Sequence, residues 1–110
     1  GAVINCMGMA AENMFSRPQT AVARNSDDFV PKREDGFAEH LLQNAYNTPY
    51  QGELYVCDWD MFWTSHEDGL RHSLLRAISG GPVYFSDRIG ETAPEVAAPL
   101  CYADTGLYVS

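Results

Sequence analysis

Basic residues are scarce in this chain: seven Lys and Arg stand against fifteen Asp and Glu in 110 residues, a formal net charge of −8. A chain so acidic has no basic stripe to set against a phosphate backbone, so no nucleic-acid partner is expected. The acids are spread along the sequence and form no tail, which excludes an acidic interaction arm. No run approaches the ~20 apolar residues of a membrane-spanning helix, and no basic leader opens the chain, so no membrane partner is expected either. Cysteine is sparse. Cys6, Cys57 and Cys101 form no Cys-x-x-Cys and are odd in number, which argues against a disulfide framework and a structural zinc site. They read as buried, reduced thiols, which points to a cytoplasmic location. Neither GxGxxG nor GxxxxGK[ST] occurs, so the nucleotide-binding fingerprint is missing and no cofactor is expected.

What is present suits a packed core: 45% of residues are apolar and 12% aromatic. Four short apolar runs, Ala2 to Cys6, Thr20 to Arg24, Glu53 to Cys57 and Pro82 to Ser86, are bounded by turn formers and read as strands. Their apolar residues are nearly continuous, as in strands buried on both faces of a parallel sheet. Between them, Asp35 to Asn47 carries an apolar stripe of Phe37, Leu41 and Ala45 with Ala38 and Leu42, and Thr48-Pro49 reads as its stop. A second stripe, Leu70, Leu74, Ala77 and Ile78, fills His66 to Ser79, and Gly80-Gly81-Pro82 ends it. The first crossover has room only for a turn of helix around Ala10 to Phe15. Strand, helix, strand, helix, strand predicts an α/β fold, either half of an eight-stranded barrel or part of a doubly wound sheet. Both ends, Gly1 to Cys6 and Gly106 to Ser110, look cut within a fold.

In parallel α/β barrels the chemistry sits where strands end. Three of the four strand exits here are acidic: Asp27-Asp28 after Arg24, Asp58-Trp59-Asp60, and Ser86-Asp87. Any one acid could cap the following helix, and for Asp87 a turn role is the expectation. The other two groups concentrate like charges, which pushes one pKa upward where they share a cleft. One neutral and one ionised carboxyl can protonate a leaving oxygen and stabilise a cationic sugar ring. Arg24 could hold Asp28 in place or bind a sugar hydroxyl, and Trp59 offers an apolar face to a sugar ring. His40, His66 and His72 read as surface or supporting residues, without the i,i+4 spacing of a helical zinc pair at 66 and 72. Met7, Met9 and Met14 read as core filling, with a flexible pocket wall as the alternative.

Three ordered elements carry a resemblance: Arg24-x-x-x-Asp28 within Arg-Asn-Ser-Asp-Asp-Phe, Asp58-Trp59-Asp60-Met61-Phe62, and Gly80-Gly81-Pro82-Val83-Tyr84-Phe85-Ser86-Asp87. Through nearly its whole length the chain resembles glycoside hydrolase family 36, in the branch of the raffinose synthases and seed imbibition proteins, related to α-galactosidases. That resemblance implies the C-terminal half of a (β/α)8 TIM barrel, about four βα units in a single domain. It implies a retaining enzyme acting on galactose-containing oligosaccharides, by hydrolysis or galactosyl transfer. It makes Asp28 the general acid/base and makes Arg24, Asp58, Trp59 and Asp60 substrate-binding residues. The family's nucleophile belongs to a Lys-x-Asp motif on the preceding strand; the one lysine here, Lys32, is followed by Arg33-Glu34, so the nucleophile is expected outside this chain. The family's proline before the Asp-Trp-Asp element is Cys57 here, and its His-rich segment after it reads Trp63-Thr64-Ser65-His66. Two rivals remain: a Mg²⁺-dependent barrel enzyme, and a half-barrel that binds sugar or self-associates without turnover.

Overall fold

A computed structural model describes residues 3–17 and 19–101. Within them the chain runs β1 (Ile4–Asn5), α1 (Ala11–Phe15), β2 (Val22–Arg24), α2 (Gly36–Gln51), β3 (Val56–Asp58), α3 (Gly69–Ser79) and α4 (Pro94–Ala97), with a 3-10 turn over Ala98–Leu100. The strands form one parallel sheet in the order β1-β2-β3. Register pairs Ile4 with Val22, Ala23 with Cys57 and Arg24 with Asp58, so the exits of β2 and β3 lie side by side. The ends read as cut fall at least partly on Gly1, Ala2 and 106–110, outside the described residues.

The expected fourth strand is a correction. Among the described residues Pro82 to Ser86 makes only one bridge, Phe85 with Phe62, in which Ser86 N–H donates to the Phe62 carbonyl. Pro82 has no N–H to give a ladder. Gly81 crosses β3 so tightly that a Cβ there would lie 2.1 Å from the Cys57 carbonyl oxygen. The predicted stop at Thr48-Pro49 is a second correction, since α2 runs on to Gln51. Pro49 loses only its own donor near the helix end. Gln51 is then fixed by Tyr55, whose hydroxyl donates to Gln51 Oε1 and whose N–H donates to the Gln51 carbonyl. That contact shortens the third strand to begin at Val56. The end of α3 is as read: Gly80 takes φ 72, a left-handed conformation that costs glycine little.

Both long helices exist where expected, but each buries a polar stripe and leaves much of its apolar stripe open. In α2 the buried side chains include His40, Asn44 and Gln51, whereas Leu42, Tyr46 and Tyr50 are exposed and Phe37 and Leu41 only half-buried. In α3 His72, Ser73 and Arg76 are buried, while Leu70, Leu74 and Ile78 are each more than 60% exposed. A polar stripe can be buried when each group finds a partner, and here the partners come from the strand exits. The apolar core lies in two clusters. One joins Met14, Ala23, Tyr55, Cys57 and Trp59 with Leu41 and Leu75; the other joins Phe29, Phe62, Val96 and Leu100 with Ala77, Val83 and Ala93. Of the three free cysteines only Cys57 is buried; Cys6 and Cys101 are exposed, which corrects the reading of all three as buried. Among the described residues no helix is long and apolar enough to cross a membrane.

Candidate active site

The site is built where β2 and β3 end. Arg24 closes β2 and is 8% exposed. One of its terminal nitrogens lies 2.5 Å from Asp28 Oδ1, the other 3.2 Å from Asp60 Oδ1. Burial works against the Arg24 charge, but the Asp60 charge and the hydrogen bond that Arg24 donates to Asp28 outweigh it and hold the guanidinium above its ordinary pKa. The Asp28 carboxyl is 72% exposed. It opens on a cleft of about 320 Å³ lined by Arg24, Asp27, Met7, Arg33, Glu39 and Gln43, among others. Met7 is therefore a pocket wall, while Met14 fills the core.

The loop carrying Asp28 is tied down residue by residue. Asn25 Nδ2 donates to Thr48 Oγ1 at 2.8 Å, and its carbonyl accepts from Asn47 Nδ2 at 2.7 Å. Ser26 Oγ lies 3.0 Å from His40 Nε2, and Asp27 N–H donates to Gln43 Oε1 at 2.7 Å. Phe29 N–H donates to Asp60 Oδ2 at 2.9 Å. The Asp28 side chain is thus the open group on a loop whose neighbours are held from α2 and β3.

Asp58 and Asp60 are not open acids. Asp58 is fully buried; its Oδ1 accepts the Asp60 N–H at 3.1 Å and its Oδ2 accepts the Tyr84 hydroxyl at 2.7 Å. Asp60 is 3% exposed, and each of its oxygens accepts from the protein, from Arg24 and from Phe29 N–H. In place of meeting a ligand from the cleft, the pair holds the Asp28 loop from beneath. The raised carboxyl that crowded acids led us to expect is Asp58. Burial is the main cause, and the Asp60 charge adds to it against the hydrogen bonds from Tyr84 and Asp60 N–H. Asp60 adopts φ 66, a left-handed conformation that costs a non-glycine residue about 1–2 kcal/mol and that aspartate tolerates better than most.

Trp59 is a further correction. Its side chain packs in the core cluster at 7% exposure, with the indole N–H donating to Thr48 Oγ1 at 3.0 Å, so no ring face is offered to a sugar. Alternation explains this: residues flanking Trp59 point to the site side, and Trp59 points to the other. Asp87 is more than a turn. Its carboxylate accepts from both the N–H and the hydroxyl of Thr64, at 2.7 and 2.6 Å, and Thr64 Oγ1 also accepts from Ala93 N–H.

Sequence reasoning left open or missed the groups under the site. His40 and His72, read as surface or supporting residues, are 4% and 1% exposed and so lie beneath the surface, and Arg76 was missed. Burial, followed by the Arg76 charge, lowers His40 to a pKa of about 4 and His72 to about 3, so both are neutral at physiological pH. His72 and Phe62 stack, and Phe29 meets His40, His66 and His72 edge-on. Arg76 is 1% exposed and donates to the Trp59 carbonyl at 2.6 Å and the Asp60 carbonyl at 3.3 Å. Burial lowers its pKa to about 10, which leaves it charged. The available signal was a single arginine set in Leu74-Leu75-Arg76-Ala77-Ile78, a charge in an apolar run. Among the described residues no group of three or more His, Cys, Asp or Glu is placed to hold a metal ion.

Comparison with known proteins places this chain in a family. Residues 1–108 match the family model described as raffinose synthase or seed imbibition protein Sip1. The chain belongs to that family, the raffinose synthase branch of glycoside hydrolase family 36. It is 39% identical over 101 residues to "Probable galactinol--sucrose galactosyltransferase 6" of Arabidopsis thaliana, covering 92% of this chain and 14% of that protein. It is 45% identical over 78 residues to the galactinol–sucrose galactosyltransferase of Oryza sativa subsp. japonica, covering 64% of this chain and 10% of that protein. It is 35% identical over 94 residues to the stachyose synthase of Pisum sativum, covering 78% of this chain and 11% of that protein. The chain thus spans about a seventh or less of the length of the curated relatives it matches.

Proposed function

We propose that this chain is part of a retaining enzyme that moves galactose between galactose-containing oligosaccharides, with Asp28 as its general acid/base. The observation that carries the reading is the open Asp28 carboxyl, fixed by Arg24 at the exit of a parallel strand, where barrel enzymes keep their reacting groups. The names of the relatives, galactinol–sucrose galactosyltransferase and stachyose synthase, supply the substrate class. In this reading β1, β2 and β3 are successive strands of the C-terminal half of a (β/α)8 barrel. The unpaired thiols suit a reducing compartment such as the cytoplasm.

The chemistry follows from one open acid. Protonated Asp28 gives its proton to the glycosidic oxygen as a second carboxylate, outside this chain, bonds to the anomeric carbon and the leaving group departs. Asp28, now ionised, takes the proton of the incoming hydroxyl as that hydroxyl attacks the anomeric carbon and frees the carboxylate. Arg24 orients Asp28 for both steps.

The test is Asp28→Asn in the full-length enzyme of which these residues form part. The measure is kcat/KM, which reports steps up to departure of the first leaving group. An alkyl or sugar leaving group needs the proton and an activated aryloxide does not. The variant is expected to lose about 10²-fold or more on an oligosaccharide donor and far less on a dinitrophenyl α-galactoside. Equal losses on the two would remove Asp28 from the acid role.

A further inference from the structure

We propose that Arg76 of α3 is a positioning residue for Asp28, acting through the backbone of Trp59 and Asp60 and through Arg24. The inference rests on Asp28 being the acid.

Asp60 holds Arg24 with one oxygen and Phe29 N–H with the other. Its backbone takes φ 66, outside the strand conformation, two residues past the end of β3. A chain that turns this way takes its carbonyls out of the sheet ladder, and buried carbonyls need donors from elsewhere. Arg76 supplies them. Its NH2 donates to the Trp59 carbonyl at 2.6 Å, and its NH2 and Nε each lie 3.3 Å from the Asp60 carbonyl. The guanidinium is itself held on its remaining sides. Its Cζ lies 5.1 Å from the Phe62 ring centroid, over the ring, and NH1 donates at 2.8 Å to His72 Nδ1, which must accept because a guanidinium has only donors.

A planar fork bonding two successive carbonyls fixes a peptide's orientation in a way that an apolar side chain or a single ammonium cannot. From Asp60 the constraint passes to Arg24 at 3.2 Å and from Arg24 to Asp28 at 2.5 Å. Asp28 projects into the cleft at 72% exposure, so its orientation depends on that chain of contacts. Loosening Arg76 lets Asp60 relax, frees one side of Arg24, and leaves the acid poorly aimed while the apolar clusters stay packed.

The experiment compares Arg76→Lys with Asp28→Asn in the full-length enzyme, per folded molecule, on the two leaving-group classes. A residue that only stabilises the fold lowers kcat/KM for both substrates alike. A residue that aims the acid lowers it selectively: about tenfold or more on the oligosaccharide donor and within about threefold on the dinitrophenyl α-galactoside, since a small misplacement of a reacting group costs that much. If too little Arg76→Lys protein folds, Arg76→Gln, which keeps an amide donor for the same carbonyls, takes the same test. Equal losses on both substrates, unchanged kinetics, or failure of both variants to fold would overturn the positioning role. The control separates the two claims. Selective loss in Asp28→Asn with none in the Arg76 variants sinks this inference alone, whereas equal losses in Asp28→Asn sink the acid assignment beneath it.

Discussion

Tyr84 donates its hydroxyl to Asp58 Oδ2 at 2.7 Å and so ties the segment after α3 to the end of β3. Tyr84→Phe removes that donor while keeping the ring. A buried carboxylate oxygen that loses its partner costs about 1–3 kcal/mol. Loss of the bond also raises Asp58 further, because it now helps to keep the carboxyl ionised. The destabilisation, read by urea denaturation, should be largest near neutral pH and shrink in acid as Asp58 takes a proton. A loss that does not vary with pH would place the effect in packing instead.

Thr48 offers a second test. Its hydroxyl accepts from Asn25 Nδ2 and from the Trp59 indole, and donates to the Asn44 carbonyl at 2.7 Å. Thr48→Val keeps the shape and strands two buried donors, so about 2–3 kcal/mol of stability should disappear. Thr48→Ser keeps the hydroxyl and should lose less than about 1 kcal/mol. Similar losses in the two variants would show that the methyl group, not the hydroxyl, matters.

Acid should unfold this region through His40 and His72. Their folded pKa values, about 4 and about 3, lie below the ordinary 6.5. The unfolded chain therefore binds protons between those limits that the folded chain refuses, and stability falls as pH falls through that window. By pH 5 each histidine should have removed about 2 kcal/mol relative to pH 7. Asp58 works in the opposite sense, because burial raises its pKa. A melting temperature that stays constant from pH 7 to pH 5 would contradict the burial of both rings.

The sequence disclosed the parts of this site that are local. Arg24 and Asp28 are four residues apart, and the structure joins them. The 3.6-residue period found α2 and α3, because helix formation leaves its mark on spacing. It could not say which face would be buried. His40 is accepted inside because Ser26 is there to bond it, and Arg76 because the Trp59 and Asp60 carbonyls are there. Such partnerships join residues 14 to 17 positions apart and leave no periodic trace. The same blindness misplaced Trp59. Its chemistry suits a sugar platform, but strand alternation turned it towards Thr48 and the core.

The 110-residue chain alone should neither hydrolyse a chromogenic α-galactoside nor remain monomeric. Retention requires a second carboxylate about 5–5.5 Å from the acid, no Lys-x-Asp occurs, and Asp58 and Asp60 are closed in by their own partners. Leu42, Tyr46 and Tyr50 on α2, with Leu70, Leu74 and Ile78 on α3, leave apolar stripes facing water. Sedimentation should find oligomers that grow with concentration. Clear hydrolysis by a monomer would refute the requirement for an outside nucleophile.

The fold encloses two arginines, Arg24 and Arg76, with two aspartates, Asp58 and Asp60, inside a chain that is otherwise strongly acidic. Their charges cancel in place, and groups so deeply enclosed are screened little by dissolved ions. Surface pairs such as Arg33 with Asp35 and Glu39, half open to water, weaken as salt is added. The contacts among Arg24, Asp58, Asp60 and Arg76 are therefore insulated from ionic strength, and added salt reaches the constellation only at its exposed end, where Arg24 meets the open Asp28 carboxyl.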